Sequence, residues 1–368
     1  MKKITRTGGP RLSGGRAWPR AAFLFVPALA LAIAGCACSA EAALGEVLGL
    51  SAEPPVFTGW KAITAVEIGF QFSRPVTVKS VRLDPPVEIA GVSGGSEVVL
   101  VLEEARSGGA HMTADLVVED RYGNTLNVLT GFRTRNDNMP EIIINEVRTE
   151  YSNPKTEFIE FYTRRAGNLG GMRLYLTGTP EDAPFYEFPP VDVGAGEYIV
   201  LHLRTLDEES RDETGGSLAF CPATSGNEAQ PTARDLWIPG AKKHINKRGQ
   251  AVYLLDQDDG VLDALLFQEN RSGGWANDKL AAGALFLFNA GAWGTGAAPE
   301  GGIGALDAAR PEDAARPEDA ASSANTTTSR TISRRAGSDT NTAGDWYVTV
   351  TSGATPGRPN NPQAYTPK

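Results

Sequence analysis

The feature that most constrains this chain is a two-residue hydrophobic rhythm carried in short runs. Val66, Ile68, Phe70 and Phe72 alternate with Glu67, Gly69 and Gln71. Successive side chains of an extended strand point to opposite faces, so this spacing describes a half-buried strand and not one face of a helix. Arg74-Pro75 interrupts the run, Val76 and Val78 resume it around Thr77, and Pro85-Pro86 makes the next break. Residues 97–102 (EVVLVL) form a buried run, and Met112, Ala114, Leu116 and Val118 alternate with Thr113, Asp115 and Glu119. Asp120-Arg121-Tyr122-Gly123-Asn124 is a turn, since Gly and Asn tolerate positive φ, and Leu126 to Phe132 closes the unit. About six short strands with no helical period predict a small β-sandwich. The 41 glycines and 24 prolines point the same way, toward turn-rich β structure over helical bundles.

Asn136-Asp137-Asn138-Met139-Pro140 is polar and ends in proline, which places a domain boundary there. Beyond it, 142–147 reads IIINEV, 157–162 reads EFIEFY, and 194–201 reads GAGEYIVL. Residues 250–267 (QAVYLLDQDDGVLDALLF) are two strands joined by a Gly-containing polar turn.

Two stretches resemble known families. FQFSRPVTVKSVRL followed by VVEDRYGNTL resembles bacterial Ig-like modules of the S-layer-protein type, over about 51–135. The ordered set IIINEV…EFIEFY, Leu169-Gly170-Gly171, AGEYIVL, VYLLDQDDG, Asp339-Thr340-Asn341, Asp345-Trp346 and Thr355-Pro356-Gly357-Arg358-Pro359-Asn360 resembles the lamin-tail domain, over about 141–360. That family is an Ig-like β-sandwich found in nuclear lamins and in many secreted bacterial proteins. The resemblances imply an all-β chain of two Ig-like β-sandwiches in series, over 51–137 and 138–362, with a tail at 363–368. A bare lamin-tail domain needs far fewer residues, so two insertions are expected, near 205–235 and 294–330. The first opens with Asp207, Glu208, Glu209, Asp212 and Glu213, and the second holds a tandem Arg-Pro-Glu-Asp repeat. Neither composition can bury enough apolar area to offset ordering entropy, so both are expected to be poorly ordered surface excursions.

The N-terminus carries a different signal. Residues 1–35 hold six basic residues and no acid, and end in an uncharged apolar run of 14 residues over 21–34. That run is short for a bilayer span and suits a signal-peptide core. Ile33-Ala34-Gly35-Cys36 resembles the bacterial lipobox. The resemblance implies cleavage before Cys36, a diacylglycerol thioether on its sulfur with fatty acyl chains such as palmitate, and a tether over 36–50. Lipid chains contribute about 0.8 kcal/mol per buried CH₂, so two or three of them hold a soluble body to a membrane. An ordinary secretory signal with an incidental cysteine is the alternative. On either reading, Cys38, two residues on, is a spare thiol or a weak partner for Cys221.

Charge and composition exclude some functions. The chain is −9, and removal of the six basic residues of 1–35 leaves −15, which disfavours nucleic acid. Three cysteines and three histidines leave little material for zinc or His-rich metal chemistry. No G-x-S-x-G elbow, P-loop or dinucleotide fingerprint is present. Among the acids, Glu157 and Glu160 fall on opposite faces of one strand, and the lamin-tail resemblance implies that Glu146, Glu157 and Glu160 accept hydrogen bonds at strand starts and edges. Asp256-Gln257-Asp258-Asp259-Gly260 superficially resembles a calcium loop, but Phe267 stands where the bidentate Glu belongs, so it reads as a hairpin turn. His202 alternates against Ile199, Leu201 and Leu203 and is expected to face outward. Lys242 to Arg248, around His244, is a basic cluster where an acidic ligand, phosphate or glycan could dock, or a solvated loop pairing with the acidic insertion. Trp237, Trp275, Trp293 and Trp346 read as core residues before sugar platforms.

The expectation is a non-enzymatic, lipid-anchored protein of the bacterial cell envelope acting as a binding or structural module. It has no catalytic residue, metal or cofactor, a membrane contact through the lipid on Cys36, a protein partner in the envelope, and no nucleic acid. Two alternatives stand beside it. One is a metal-dependent hydrolase on loops of the second domain, using Glu146 or the acidic insertion; the other is a carbohydrate-binding module using exposed tryptophans.

Overall fold

Alternating β-branched and aromatic residues favour strands, and the computed structural model, which describes residues 53–294 and 315–368, is all-β apart from one α-helix among the described residues. The first unit contains β1 (Phe57–Ala62), β2 (Glu67–Asp84), β3 (Ile89–Val92), β4 (Gly95–Leu102), β5 (His111–Asp120) and β6 (Thr125–Arg133). Its strand order is β3-β4-β2-β5-β6, with β1 added to β2. The 18-residue β2 organises the unit. Its first half pairs antiparallel with β1 and β4, and its second half with β5. The change of partner falls where the register with β4 shifts, between Gln71 and Val76, around Pro75. Proline has no N–H to give to a ladder, so the break in the sequence rhythm marks a bend with exchange of neighbours rather than the end of the strand. The sheet coils back so that Ile68, Phe70, Val98 and Leu100 share a core with Leu116, Val118 and Phe132. Phe70 meets Phe132 edge-on, with ring centroids 5.7 Å apart.

The second unit runs through β7 (Glu141–Arg148), β8 (Phe158–Arg165), β9 (Gly167–Asn168), β10 (Arg173–Leu176), β11 (Tyr186–Glu187), β12 (Asp192–Val193), β13 (Tyr198–His202), β14 (Ala233–Trp237), β15 (Gly249–Leu255), β16 (Val261–Gln268), α1 (Asp278–Asn289), β17 (Ala321–Ser322), β18 (Ile332–Arg334) and β19 (Trp346–Val348). One sheet has the order β14-β13-β8-β7-β18-β19, another β11-β10-β15-β16-β17, and β9 pairs with β12. Ile144, Ile159, Phe161 and Leu201 of the first sheet pack with Leu174, Val252, Leu254 and Leu265 of the second. A buried ion pair crosses between the sheets. Arg334 of β18 donates to Asp263 of β16, and the same carboxylate accepts from the Ile144 N–H of β7 at 2.6 Å. The Arg334 guanidinium also lies over the Trp346 ring, 4.4 Å from its centroid. Helix α1 is capped by Asn277, whose side chain accepts from the Leu280 N–H at 2.9 Å. It buries Leu280, Gly283, Ala284 and Leu287, a spacing of three and four residues that puts one stripe on the sandwich.

The two units dock through backbone. A Cβ on Gly109 would lie 2.3 Å from the Gly170 carbonyl carbon, and one on Gly170 would lie 2.0 Å from the Gly108 carbonyl oxygen. Only glycine allows that approach. Between β6 and β7, Asn136 is 3% exposed and its amide donates to the Asn168 and Gly170 carbonyls at 2.7 Å each. Gln257 completes the clamp, accepting from the Asn136 N–H at 2.8 Å and donating to its carbonyl at 2.9 Å.

The expected surface excursion at 205–235 is corrected by the structure: it is folded against the sandwich. Its acids cap backbone that has no ladder to join. Glu213 is fully buried and accepts from the Cys221 N–H at 3.0 Å and the Asp235 N–H at 2.9 Å. Asp207 accepts from the Ser210 N–H and hydroxyl and from Thr224. The end of this segment is β14, paired in parallel with β13. The second copy of the Arg-Pro-Glu-Asp repeat is likewise packed, as a 3-10 turn over Pro317–Asp319 whose Asp319 carbonyl accepts from the Trp293 indole at 3.0 Å. The first copy lies outside the described residues.

Candidate functional site

Glu146 and Glu160 are cross-strand partners on β7 and β8. A bulge between Ile144 and Glu146 shifts the alternation. It lets Val147 rejoin the core with Ile144 and leaves Glu146 on the same face as Glu160. Both are fully buried under the C-terminal segment. Glu146 accepts from the Thr355 N–H at 3.0 Å and from the Ser333 hydroxyl at 3.2 Å, and Thr331 adds a third donor. Glu160 accepts from the Asn145 amide at 2.7 Å and from the Gly357 N–H. Burial raises both acids, and Glu160, beside the charge of Glu146, stands well above the usual carboxylate range. The pair is therefore a latch that holds the Thr355–Asn360 strap on the sheet. Glu157, on the opposite face, is spent on Arg204, whose Nη2 donates to it at 2.6 Å.

The outward placement expected for His202 is corrected: it is 1% exposed. The 205–235 segment and β14 cover its face. Its Nε2 is 2.8 Å from Asp235 and its ring stacks on Trp237, with centroids 4.6 Å apart. Cys221 is buried nearby, donates to the Glu209 carbonyl, and has its thiol pushed up by burial. Cys36 and Cys38 lie outside the described residues. In the basic cluster, the His244 ring packs on Phe185 and Lys247 pairs with Glu269 at 3.1 Å. Trp237, Trp293 and Trp346 are each 5% exposed or less.

The hairpin turn at Asp256–Gly260 leads to a different site. Asp256 accepts from the N–H groups of Asp258 and Gly260 at 2.8 Å each, which closes the turn and sets Asp258 and Asp259 at the junction of the two units. There they help line a cleft of about 520 Å³ between the two sandwiches. Arg135 grips Asp258 with its two terminal guanidinium nitrogens, at 3.0 and 2.7 Å, and holds that carboxyl below its usual range. Arg173 of β10 donates to Asp259 and to the Asp256 carbonyl at 2.7 and 2.6 Å. Arg133, at the end of β6, pairs with Glu187 of β11. Trp60 and Lys61 of β1 form the remaining wall. Trp60 is 37% exposed, with its ring edge on Phe132. The sequence rhythm pointed to the turn, but not to this cleft. Gly59-Trp60-Lys61 has no alternation of its own, and the opposing arginines and acids are far apart in the chain.

Comparison with known proteins places the chain in a family. Residues 140–348 match the family described as a protein second domain (TP_1001_2nd). A protein of Treponema pallidum (strain Nichols), named only as an uncharacterized protein, is 32% identical over 159 residues, covering 41% of this chain and 39% of the relative. The chain thus spans about two fifths of that relative's length. The family match covers more than half of the chain, and the chain belongs to that family.

Proposed function

We propose, for this member of the second-domain family, a non-enzymatic binding module of the bacterial cell envelope, held to a membrane by lipid on Cys36. The observation that carries the reading is the clamped junction. Two sandwiches joined by the Asn136–Gln257 bonds and the Gly108-Gly109 contact present a built concavity between them, the cleft beside Arg135 and Asp258. Ligand sites favour such places between domains. The non-enzymatic part of the reading is supported by the use of the acids. Glu146, Glu157 and Glu160 are saturated by the fold's own donors and lie beneath the strap. The lamin-tail resemblance is supported by where its motifs fall, with the Asn-Glu-Val and Glu-Phe-Ile-Glu motifs on β7 and β8 and the Thr-Pro-Gly segment laid across them. The anchor rests on the lipobox-like Ile33-Ala34-Gly35-Cys36.

Metabolic labelling with a fatty acid, comparing the native chain with Cys36→Ala, tests the anchor; label retained by the alanine variant removes it. Crosslinking in intact cells and a hydrolase screen test the module. Turnover of a phosphodiester or glycosidic substrate in a Glu146-dependent way would replace it with the hydrolase.

A further inference from the structure

We propose that the cleft between the two sandwiches binds a neutral saccharide, an inference that rests on the binding-module reading and names its ligand class. The charge arrangement carries the argument. Arg133, Arg135 and Arg173 each face the cleft already paired with an acid: Glu187, Asp258 and Asp259 respectively. An anionic ligand seated on these arginines would have to displace one of those acids, and a cationic ligand would have to displace an arginine; Lys61, the fourth cation of the lining, acts on Asp258, whose carboxyl it helps hold down. A sugar hydroxyl needs neither, because it both donates and accepts. A guanidinium paired with a carboxylate still offers spare N–H donors, and the carboxylate still offers spare lone pairs.

The wall opposite these pairs supplies the other half of the chemistry. Trp60 lines the cleft and is partly exposed, and an indole is an apolar surface suited to the C–H face of a pyranose ring. The polar groups are held before a ligand arrives. Arg135 is bidentate on Asp258, Asp256 closes the turn behind it, and Gln257 is tied to the Asn136 backbone on both sides. A site whose donors and acceptors are already fixed loses little on binding. At about 520 Å³ the cleft falls within the size range of small-molecule sites.

The test is titration of the full chain with neutral oligosaccharides (gluco-, cello-, manno- and chito-series) and with uronic and sulfated ones, at low and high salt, read by calorimetry and tryptophan fluorescence. The expected result is binding by a neutral series with an affinity unchanged by salt. Trp60→Ala should weaken it about tenfold, and Trp60→Phe should keep most of it. Trp60 is partly exposed, and unchanged circular dichroism of both variants checks that they are folded. Binding confined to anionic members and lost in salt, neutral binding indifferent to Trp60→Ala, or no saccharide bound would each overturn the proposal. A Trp60-dependent protein partner captured with no saccharide binding would overturn the saccharide and leave the module reading standing. Cleavage of the bound saccharide would do the reverse.

Discussion

The first sandwich is held together by what its strands bury, and the second by what its strands bury and then must neutralise. Among the described residues of the first, the core is Phe70, Leu100, Leu116, Phe132 and their neighbours, and Asp120 is the buried acid. Asp120 sits at the end of β5 and accepts from the Tyr122 and Asn124 N–H groups of the following turn, and its one arginine, Arg74 at 3.5 Å, is itself partly exposed. The second sandwich buries Glu146, Glu157, Glu160, Asp235 and Asp263, with Arg148, Arg204, Arg234 and Arg334. Each of the longest-range partnerships spans tens to hundreds of residues. Glu146 meets Thr355, Arg334 meets Asp263, and Arg148 meets Glu228. A buried ion pair gives up hydration that its Coulomb attraction only partly returns, so these clamps contribute more to arrangement than to net stability. The difference teaches that one protein can use a nonspecific core in one unit and a keyed polar interior in the next.

The contrast is sharpest when one member of each type is removed. Arg334→Ala leaves the Asp263 carboxyl buried without its partner, and should cost about 3–5 kcal/mol near neutral pH. Phe70→Ala leaves a cavity in the first core and should cost a similar amount, about 3–5 kcal/mol. The two losses differ in pH dependence. Burial already pushes Asp263 up to about 6 even with Arg334 beside it. Without the arginine the acid protonates still more readily, so the Arg334→Ala penalty should shrink below about pH 6 while the Phe70→Ala penalty stays constant. Urea unfolding at two pH values measures both. Equal pH dependence would break the distinction.

The junction between the units should give a smaller effect. Asn136→Ala removes two donors from the Asn168 and Gly170 carbonyls in a buried setting, and should cost about 1–3 kcal/mol. The loss should fall on the coupling, so that two unfolding transitions separate in calorimetry. Merged transitions of unchanged midpoint would show that the Gln257 bonds to the backbone of residue 136, the arginine–acid pairs and the glycine contact hold the units together without the Asn136 amide.

How much of this was legible in the sequence follows the same division. The alternation of Ile68, Phe70 and Phe72 and of Met112 to Val118 placed strands in the first unit, since their cause is local. Pro75 marked a change of partner within one strand, a distinction that pairing decides and one-dimensional rhythm does not. Helix α1 went unread, although Asn277 and the Leu280–Leu287 spacing carry its cap and stripe. The acids of 205–235 looked like solvated charge. Glu213 and Asp207 instead satisfy loop backbone, a role visible only once the neighbouring N–H groups are placed. His202 failed for a related reason, as its apparent outer face is covered by a segment that composition alone makes look disordered. Trp60 and the opposing ion pairs had no signal, because two separate units create the cleft.

The smallest effect expected is a change in slope, and it isolates the latch. Glu160 is raised well above the usual carboxylate range by burial, and by the charge of Glu146 next to it. A carboxyl with a raised folded value binds a proton in the folded state where the unfolded chain has released it. Stability should then fall as pH rises from the ordinary Glu range toward the folded value, by at most about 1.4 kcal/mol per pH unit for one proton. His111 and His244 act in the opposite sense. Burial lowers both rings, so the unfolded chain takes up protons first and stability falls as pH drops below the ordinary histidine range. The net curve therefore mixes the two, but their contributions cancel in a difference between variants. Glu160→Gln keeps a side-chain carbonyl for the Gly357 N–H and removes the ionisable group. The difference in unfolding free energy between Glu160→Gln and the native chain should grow in favour of the variant as pH rises through the weakly acidic to neutral range. A difference that stays flat with pH would show that the strap is held by Thr355, Gly357 and Asn360 without any protonation of the acid pair beneath it.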